Sequence, residues 1–245
     1  GKLDPSILLY SLNLGGGSMM IFQYPRMDEK SYANLYTNGN YGIEFQQKYG
    51  LQPYSQRYEH DKKVGQARIK QYLAINDMLM DDVLVKKHLT LLDYGCGNGG
   101  FISALRDQGF DAWGYDCEEG SLNADNNDDV RSYISNIFPT YKGYKVVTMH
   151  DVIEHLYRPI ETLNRFRDIT EKEFKLIIDT PNIDDGFDKL GTQWKHARPY
   201  QHPFLYNAAM VSVIVESAFR DATVNEIARY RPLEGKIVQA FSIKY

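Results

Sequence analysis

Two short stretches carry residues whose types and spacing could do chemistry. The first is Leu91-Leu92-Asp93-Tyr94-Gly95-Cys96-Gly97-Asn98-Gly99-Gly100-Phe101. Glycines at this spacing permit a tight turn and let a ligand approach the backbone, and a helix starting beyond them would offer unsatisfied N–H groups. Gly95, Gly97 and Gly100 formally match the G-x-G-x-x-G of dinucleotide binders. Asp93, two residues ahead of Gly95, points to another ligand: its carboxylate would repel a pyrophosphate and suits a cationic group. The second stretch is Asp151-Val152-Ile153-Glu154-His155. If Asp151 opens a helix, Asp151, Glu154 and His155 share one face at i, i+3 and i+4. Two carboxylates and an imidazole there suit a hard, oxygen-preferring divalent cation such as Mg²⁺, and His202 could close the site. Without a metal, a Glu-His pair at a helix start favours the N-terminus electrostatically and orients the loop that follows.

These residues need a frame that brings strand ends together. After residue 88 the pattern alternates between strands and helices. Strands are expected over 89–94, 112–115, 130–134, 145–149 and 174–179, and helices over 101–108, through Glu154, around Leu163 and over 207–218. Two closing strands, 223–227 and 237–243, are joined without a helix and predict an antiparallel hairpin at one edge. This alternation implies an α/β fold with a mostly parallel sheet covered on both faces. Ligands of such sheets bind beyond the strand ends, where both chemical stretches fall. Upstream, apolar residues at Ile69, Tyr72, Leu73, Ile75, Met78 and Leu79 predict a helix over 66–84.

Length and composition narrow the rest. A chain of 245 residues, 43% hydrophobic and 24% charged, can bury a full-sized core, which disfavours disorder, collagen-like repeats and coiled coils. No apolar run approaches the ~20 residues that span a bilayer. With only Cys96 and Cys117 there is no disulfide framework, so a reducing, cytoplasmic compartment is expected. The net charge of −4 and pI of 5.9 argue against a phosphate-backbone binder and hence against a nucleic-acid partner. Residues 1–18 end in Gly15-Gly16-Gly17-Ser18 before Met19-Met20 and read as a flexible leader joined to a native start. Residues 19–85 are expected to form a cap and 86–245 the main domain. Seven of the tyrosines lie between Tyr24 and Tyr58, either as amphipathic packing or as an aromatic wall over a substrate.

Asp93-x-Gly95-x-Gly97-x-Gly99 resembles motif I of the class I S-adenosylmethionine-dependent methyltransferases. Trp113-Gly114-Tyr115-Asp116 looks like that family's second strand, whose terminal acidic residue binds the ribose hydroxyls. Residues 145–156 and 174–182 are similar to its fourth and fifth strands. The resemblance covers roughly residues 88–245, and the Asp-x-x-Glu-His stretch is closest to the ubiquinone-type O-methyltransferases. It implies a Rossmann-like, doubly wound sheet of seven strands, one of them antiparallel, under an N-terminal helical cap. It also implies S-adenosylmethionine held by Asp93, Gly95, Cys96, Gly97, Asp116 and His150. Asn136 stands where the family usually has an acidic residue at the adenine. Cys96 and Cys117 adjoin these positions as small residues fitting tight turns. Methyl transfer to an oxygen of a small-molecule acceptor follows, with His155 or His202 taking the proton, or with a metal on Asp151, Glu154, His155 and His202. The ubiquinone-type enzymes and the small-RNA 2′-O-methyltransferases usually have glutamate where this chain has the shorter Asp151. The alternatives are metal-dependent RNA 2′-O-methylation, an NAD(P)-binding oxidoreductase using Gly95, Gly97 and Gly100, and a non-catalytic cofactor-binding subunit.

Overall fold

The computed structural model describes residues 8–37, 57–75, 88–117, 132–140, 143–198, 201–232 and 235–245. Its main sheet contains β3 (Thr90–Tyr94), β4 (Asp111–Tyr115), β5 (Ile134–Ser135), β6 (Tyr144–His150), β7 (Thr170–Pro181), β9 (Thr223–Tyr230) and β10 (Lys236–Lys244). Their order is β5-β4-β3-β6-β7-β10-β9. The first five run parallel, and β10 alone opposes both neighbours. The mixed α/β expectation, with seven strands and one antiparallel, therefore holds.

The central strands carry apolar residues on both faces because both faces are covered. Leu92, Val147, Leu176 and Ile178 face one way, into a cluster with Leu163 of α4 (Pro159–Asn164) and Met210, Val211, Ile214 and Val215 of α6 (Ala208–Ala218). Leu91, Val146 and Ile177 face the other way, against Ile69 and Tyr72 of α2 (Tyr58–Ala74) and Phe101, Ile102 and Leu105 of α3 (Gly100–Asp107). Strand alternation sorts neighbouring residues into these two layers, and each large apolar side chain so buried contributes ~1.5–3 kcal/mol. The same alternation sends Asp93, Thr148 and His150 toward the α2 layer.

Several local expectations need correction. The helix read over 66–84 begins at Tyr58, since polar residues on its first turns cover a buried stripe of Tyr58, Gly65, Ile69 and Tyr72, and its C-cap is Ile75; 76–87 lie outside the described residues. The third strand is Ile134–Ser135, later than expected. The glycine run at 15–17 is a turn and not a free spacer. It joins β1 (Leu8–Gly15) to β2 (Ser18–Tyr24) in an antiparallel hairpin, with all three glycines at positive φ. β2 then pairs with β8 (Phe204–Tyr206), so the N-terminal region contributes a second, three-stranded sheet as well as α1 (Glu29–Thr37) and α2. That sheet was missed because its third strand is three residues long and its pairing spans most of the chain. Of the clustered tyrosines, Tyr41, Tyr49 and Tyr54 lie outside the described residues. Tyr32 and Tyr58 are buried, Tyr24 is exposed, and none of these three lines the cavity described next.

Candidate active site

A cavity of about 590 Å³ opens beyond the C-terminal ends of β3, β4 and β6, under α2. This is large enough for a cofactor and a small second ligand. Its two halves are built differently.

The first half is the glycine loop. Gly95 has φ 80°, and a Cβ there would lie 2.4 Å from Val152 Cγ2. Only glycine meets both demands. The Gly95 and Cys96 N–H groups donate to the Tyr115 carbonyl at 2.7 and 3.0 Å, and Gly97 N–H donates to Asp116 Oδ2 at 2.8 Å. Asp116 thus braces the loop with one carboxylate oxygen while lining the cavity. Buried Asp93 accepts the Thr148 hydroxyl at 2.7 Å and sits 3.1 Å from His150 Nδ1. His150 Nε2 lies 2.7 Å from the Tyr72 hydroxyl. Both ring nitrogens of His150, which lines the cavity, are therefore engaged by protein groups. Cys96 lines the cavity, but burial pushes its thiol well up, which leaves it protonated and unsuited to nucleophilic chemistry. Its Sγ occupies the space that a Cβ on Gly114 would need, at 2.7 Å. Gly100 packs against α2, where a Cβ would meet Lys62 N at 2.8 Å. Close packing is also the role of the third glycine in dinucleotide binders, so Gly100 does not separate the oxidoreductase alternative from the others. Asn136 is exposed and is not among the described residues that line the cavity.

The second half is a group of buried side chains. Asp151 does not open a helix. It has φ 54°, a left-handed turn that aspartate tolerates better than most residues, and a 3₁₀ turn at Ile153–His155 follows. Its carboxylate is not part of the group that Glu154 and His155 form with His202: Oδ2 lies 2.5 Å from Lys236 Nζ and 3.8 Å from Arg68 Nη2. Both cations also reach Asp179, Arg68 at 2.8 Å and Lys236 at 3.4 Å. Burial would raise the Asp151 carboxyl, but Lys236 and Arg68 outweigh it and hold the group well below the ordinary carboxylate range.

Glu154, His155 and His202 do come together. One donor atom from each lies within 4.8 Å of the other two. The loop before β8 makes this possible: His155 Nδ1 lies 2.8 Å from the Gln201 carbonyl, and His202 Nδ1 lies 2.6 Å from the His196 carbonyl. Those carbonyls only accept, so each Nδ1 carries the proton and each Nε2 presents a lone pair. Tyr32 reinforces the arrangement by donating to the carbonyls of His155 at 2.8 Å and Gln201 at 3.1 Å. Burial holds His155 down at about 4 and His202 lower than its ordinary value, aided by the neighbouring His155. Burial, then the Asp151 charge, pushes the Glu154 carboxyl well up. Glu154 Oε2 accepts from Thr180 at 2.9 Å, while its buried Oε1 has no partner among the described residues.

One carboxylate and two imidazoles, each oriented by a backbone carbonyl, form a set that fits a divalent ion of intermediate softness. Mg²⁺ prefers oxygen ligands, and with Asp151 withdrawn the set has one carboxylate. Sequence spacing did not show Arg57, Asp61, Arg68, Lys195, His196, Arg198 and Gln201, which also line the cavity. The available signal was the density of histidine and cationic residues in His196-Ala197-Arg198-Pro199-Tyr200-Gln201-His202; the α2 residues gave none.

A family model described as a methyltransferase domain matches residues 64–218, more than half of the chain. No curated protein sequence matches it. Among solved structures, the chain is similar to a SAM-dependent methyltransferase from Archaeoglobus fulgidus, at TM-score 0.54 and 16% identity over 84% of this chain and 100% of that one. It also resembles the plantazolicin methyltransferase BpumL in complex with a monoazolic desmethylPZN analog and SAH, at TM-score 0.57 and 14% identity over 88% and 96%. A third is the Burkholderia thailandensis 1,6-didemethyltoxoflavin-N1-methyltransferase with bound 1,6-didemethyltoxoflavin and S-adenosylhomocysteine, at TM-score 0.54 and 12% identity over 96% and 99%. Identities this low carry the fold alone.

Proposed function

The chain belongs to the methyltransferase domain family, as an S-adenosylmethionine-dependent enzyme, and from that premise we propose that it methylates an oxygen of a small-molecule acceptor. The observation that carries this reading is the convergence of Glu154, His155 and His202 on one cavity with Asp93 and Asp116. Bound S-adenosylmethionine supplies an electrophilic methyl on a sulfonium sulfur. Asp116 accepts hydrogen bonds from the ribose hydroxyls, and Asp93, fixed by Thr148 and His150, faces the cationic end of the cofactor. Gly95 and Gly97 let the ligand approach the backbone. α2 shields the cavity from water through Val64 and the Arg57–Asp61 pair, whose Asp61 also receives the Asn98 amide at 2.9 Å. Alignment of nucleophile and methyl in a dry site supplies most of the acceleration. The Nε2 lone pairs of His155 and His202 accept the acceptor hydroxyl's hydrogen bond and orient its oxygen. Neither imidazole is basic enough to keep the proton at neutral pH, so it passes on to water. Among the described residues no helix is long and apolar enough to cross a membrane, and the two free cysteines suit a reducing, cytoplasmic setting. The Asp-x-x-Glu-His stretch favours the ubiquinone-type branch.

A second reading is favoured by the orphaned Glu154 Oε1 beside two imidazole lone pairs. Glu154, His155 and His202 would hold a divalent ion, which would supply Lewis acidity toward the acceptor hydroxyl. Titrating Mn²⁺ and Zn²⁺ into chelator-treated protein tests it. A rise in Tm lost in His202→Gln supports the ion, and no change in Tm excludes it. The primary reading is tested by assaying methyl transfer from S-adenosylmethionine to a panel of small phenols, alcohols and amines. Methylation of amines with none of hydroxyls would overturn the oxygen assignment.

A further inference from the structure

Lys195, His196 and Arg198 line the cavity but have no part in the transfer described above. They sit between α5 (Phe187–Leu190) and β8 on the loop that positions His202. The loop is anchored by buried Trp194, whose ring packs so closely on Gly186 that any Cβ there would overlap it. Arg198 Nε donates to the Lys195 carbonyl at 2.6 Å and Nη1 to Gln201 Oε1 at 3.3 Å, which sets the guanidinium at the cavity rim. Lys195 is exposed and makes no ion pair among the described residues.

Charge balance gives this loop its meaning. The nearby charges of Asp151 and Asp179 are cancelled by Arg68 and Lys236, with contacts of 2.5–3.8 Å. That leaves Glu154 as the further carboxylate on this wall, set against the two cationic side chains of Lys195 and Arg198. The fields of Lys195 and Arg198 reach inward. After burial, which is the larger cause, both help hold His196 down at about 4, and Arg198 acts the same way on His155. The wall is therefore net positive and rich in N–H donors, whereas Asp93 and Asp116 make the opposite end acidic. A positive, partly desolvated wall attracts an anion and forms charge-assisted hydrogen bonds to it.

We propose that the methyl acceptor carries an anionic group, a carboxylate or a phosphate ester, which Lys195 and Arg198 bind at the rim while the nucleophilic oxygen faces Glu154, His155 and His202. This rests on the methyl-transfer reading and specifies its substrate class. The test is calorimetric titration of inorganic phosphate, and separately of acetate, into protein saturated with S-adenosylhomocysteine, which already occupies the site of the cofactor's own carboxylate. Saturable binding is expected, at least fivefold weaker in Lys195→Gln and at least tenfold weaker in the Lys195→Gln/Arg198→Gln double variant. It should weaken further as NaCl is raised. Tighter binding of phosphate assigns a phosphate ester, and tighter binding of acetate assigns a carboxylate. Absence of saturable binding by either anion, or equal affinity in wild type and Lys195→Gln, overturns the proposal. Lys195 is exposed, so the single variant keeps the test valid should the double variant misfold. Failure of S-adenosylhomocysteine to bind would remove the methyl-transfer reading itself; its binding without any anion binding would remove only this proposal.

Discussion

The half of the cavity that we assign to the cofactor is shaped mainly by the backbone of the glycine loop, and the half that we assign to the acceptor by side chains. Gly95, Gly97 and Asp116 sit at the ends of adjacent strands, and their geometry follows from positive φ angles and from N–H donors aimed at Tyr115 and Asp116. Glu154 and His155 come from one turn, His202 from the loop before β8, Arg68 from α2 and Lys236 from β10. They meet only in the folded chain, held by burial and ion pairing. A substitution in the first half should therefore act on cofactor binding, and one in the second on stability and acceptor chemistry.

The largest expected effect breaks the second half. Lys236→Met leaves Arg68 alone against Asp151 and Asp179, and removing one partner from a largely buried charge network costs ~3–5 kcal/mol. Urea denaturation should show the loss, and an unchanged midpoint would mean that the network does not hold the acceptor wall. Gly95→Val breaks the first half. A left-handed φ costs a non-glycine residue ~1–2 kcal/mol, and the overlap with Val152 adds ~1–3 kcal/mol. S-adenosylhomocysteine binding should weaken at least ~25-fold, as 1.4 kcal/mol is tenfold.

A pH titration sharpens the contrast. His155, held at about 4 by burial, stays unprotonated in the folded chain while the unfolded chain gains a proton below its ordinary value of 6.5. Its contribution is present above 6.5 and is lost as the pH falls toward 4, ~2 kcal/mol of it between pH 7 and pH 5. His196 and His202 act in the same direction. Glu154, whose folded value is raised, opposes them by losing stability as pH rises above 4.5. Tm should therefore fall from pH 7 to pH 5. The fall should flatten in His155→Gln and steepen in Glu154→Gln; parallel curves for all three proteins would show that these groups are solvated. The smallest effect is at Asn136: exposed and off the cavity, Asn136→Ala should leave S-adenosylhomocysteine affinity within about twofold, set against 1.4 kcal/mol per tenfold.

How much was legible in the sequence follows the same division. Glycine spacing, the Trp113-Gly114-Tyr115-Asp116 strand end and the strand–helix alternation are local signals, so the mostly parallel sheet and the glycine loop could be anticipated. The convergence of Glu154, His155 and His202 was partly legible from residue type. Asp151 misled because its i, i+3, i+4 spacing assumes a helix, and the chain turns left-handed instead. His150 lines the cavity, but the contacts of its ring with Asp93 and with Tyr72, the latter on a helix 78 residues away in sequence, had no local signal. Lys236 and Arg68 gave no signal, since their partners are set by the antiparallel register of β10 on β7 and by the docking of α2.

The separation of the two halves is tested most directly by calorimetry of S-adenosylhomocysteine on wild type, Asp116→Ala and His202→Gln. Asp116→Ala should weaken binding 10- to 100-fold, from ~1.5–3 kcal/mol for a charge-assisted hydrogen bond, while His202→Gln should stay within about twofold of wild type. Wild-type affinity in Asp116→Ala, or an equal loss in both variants, would contradict it.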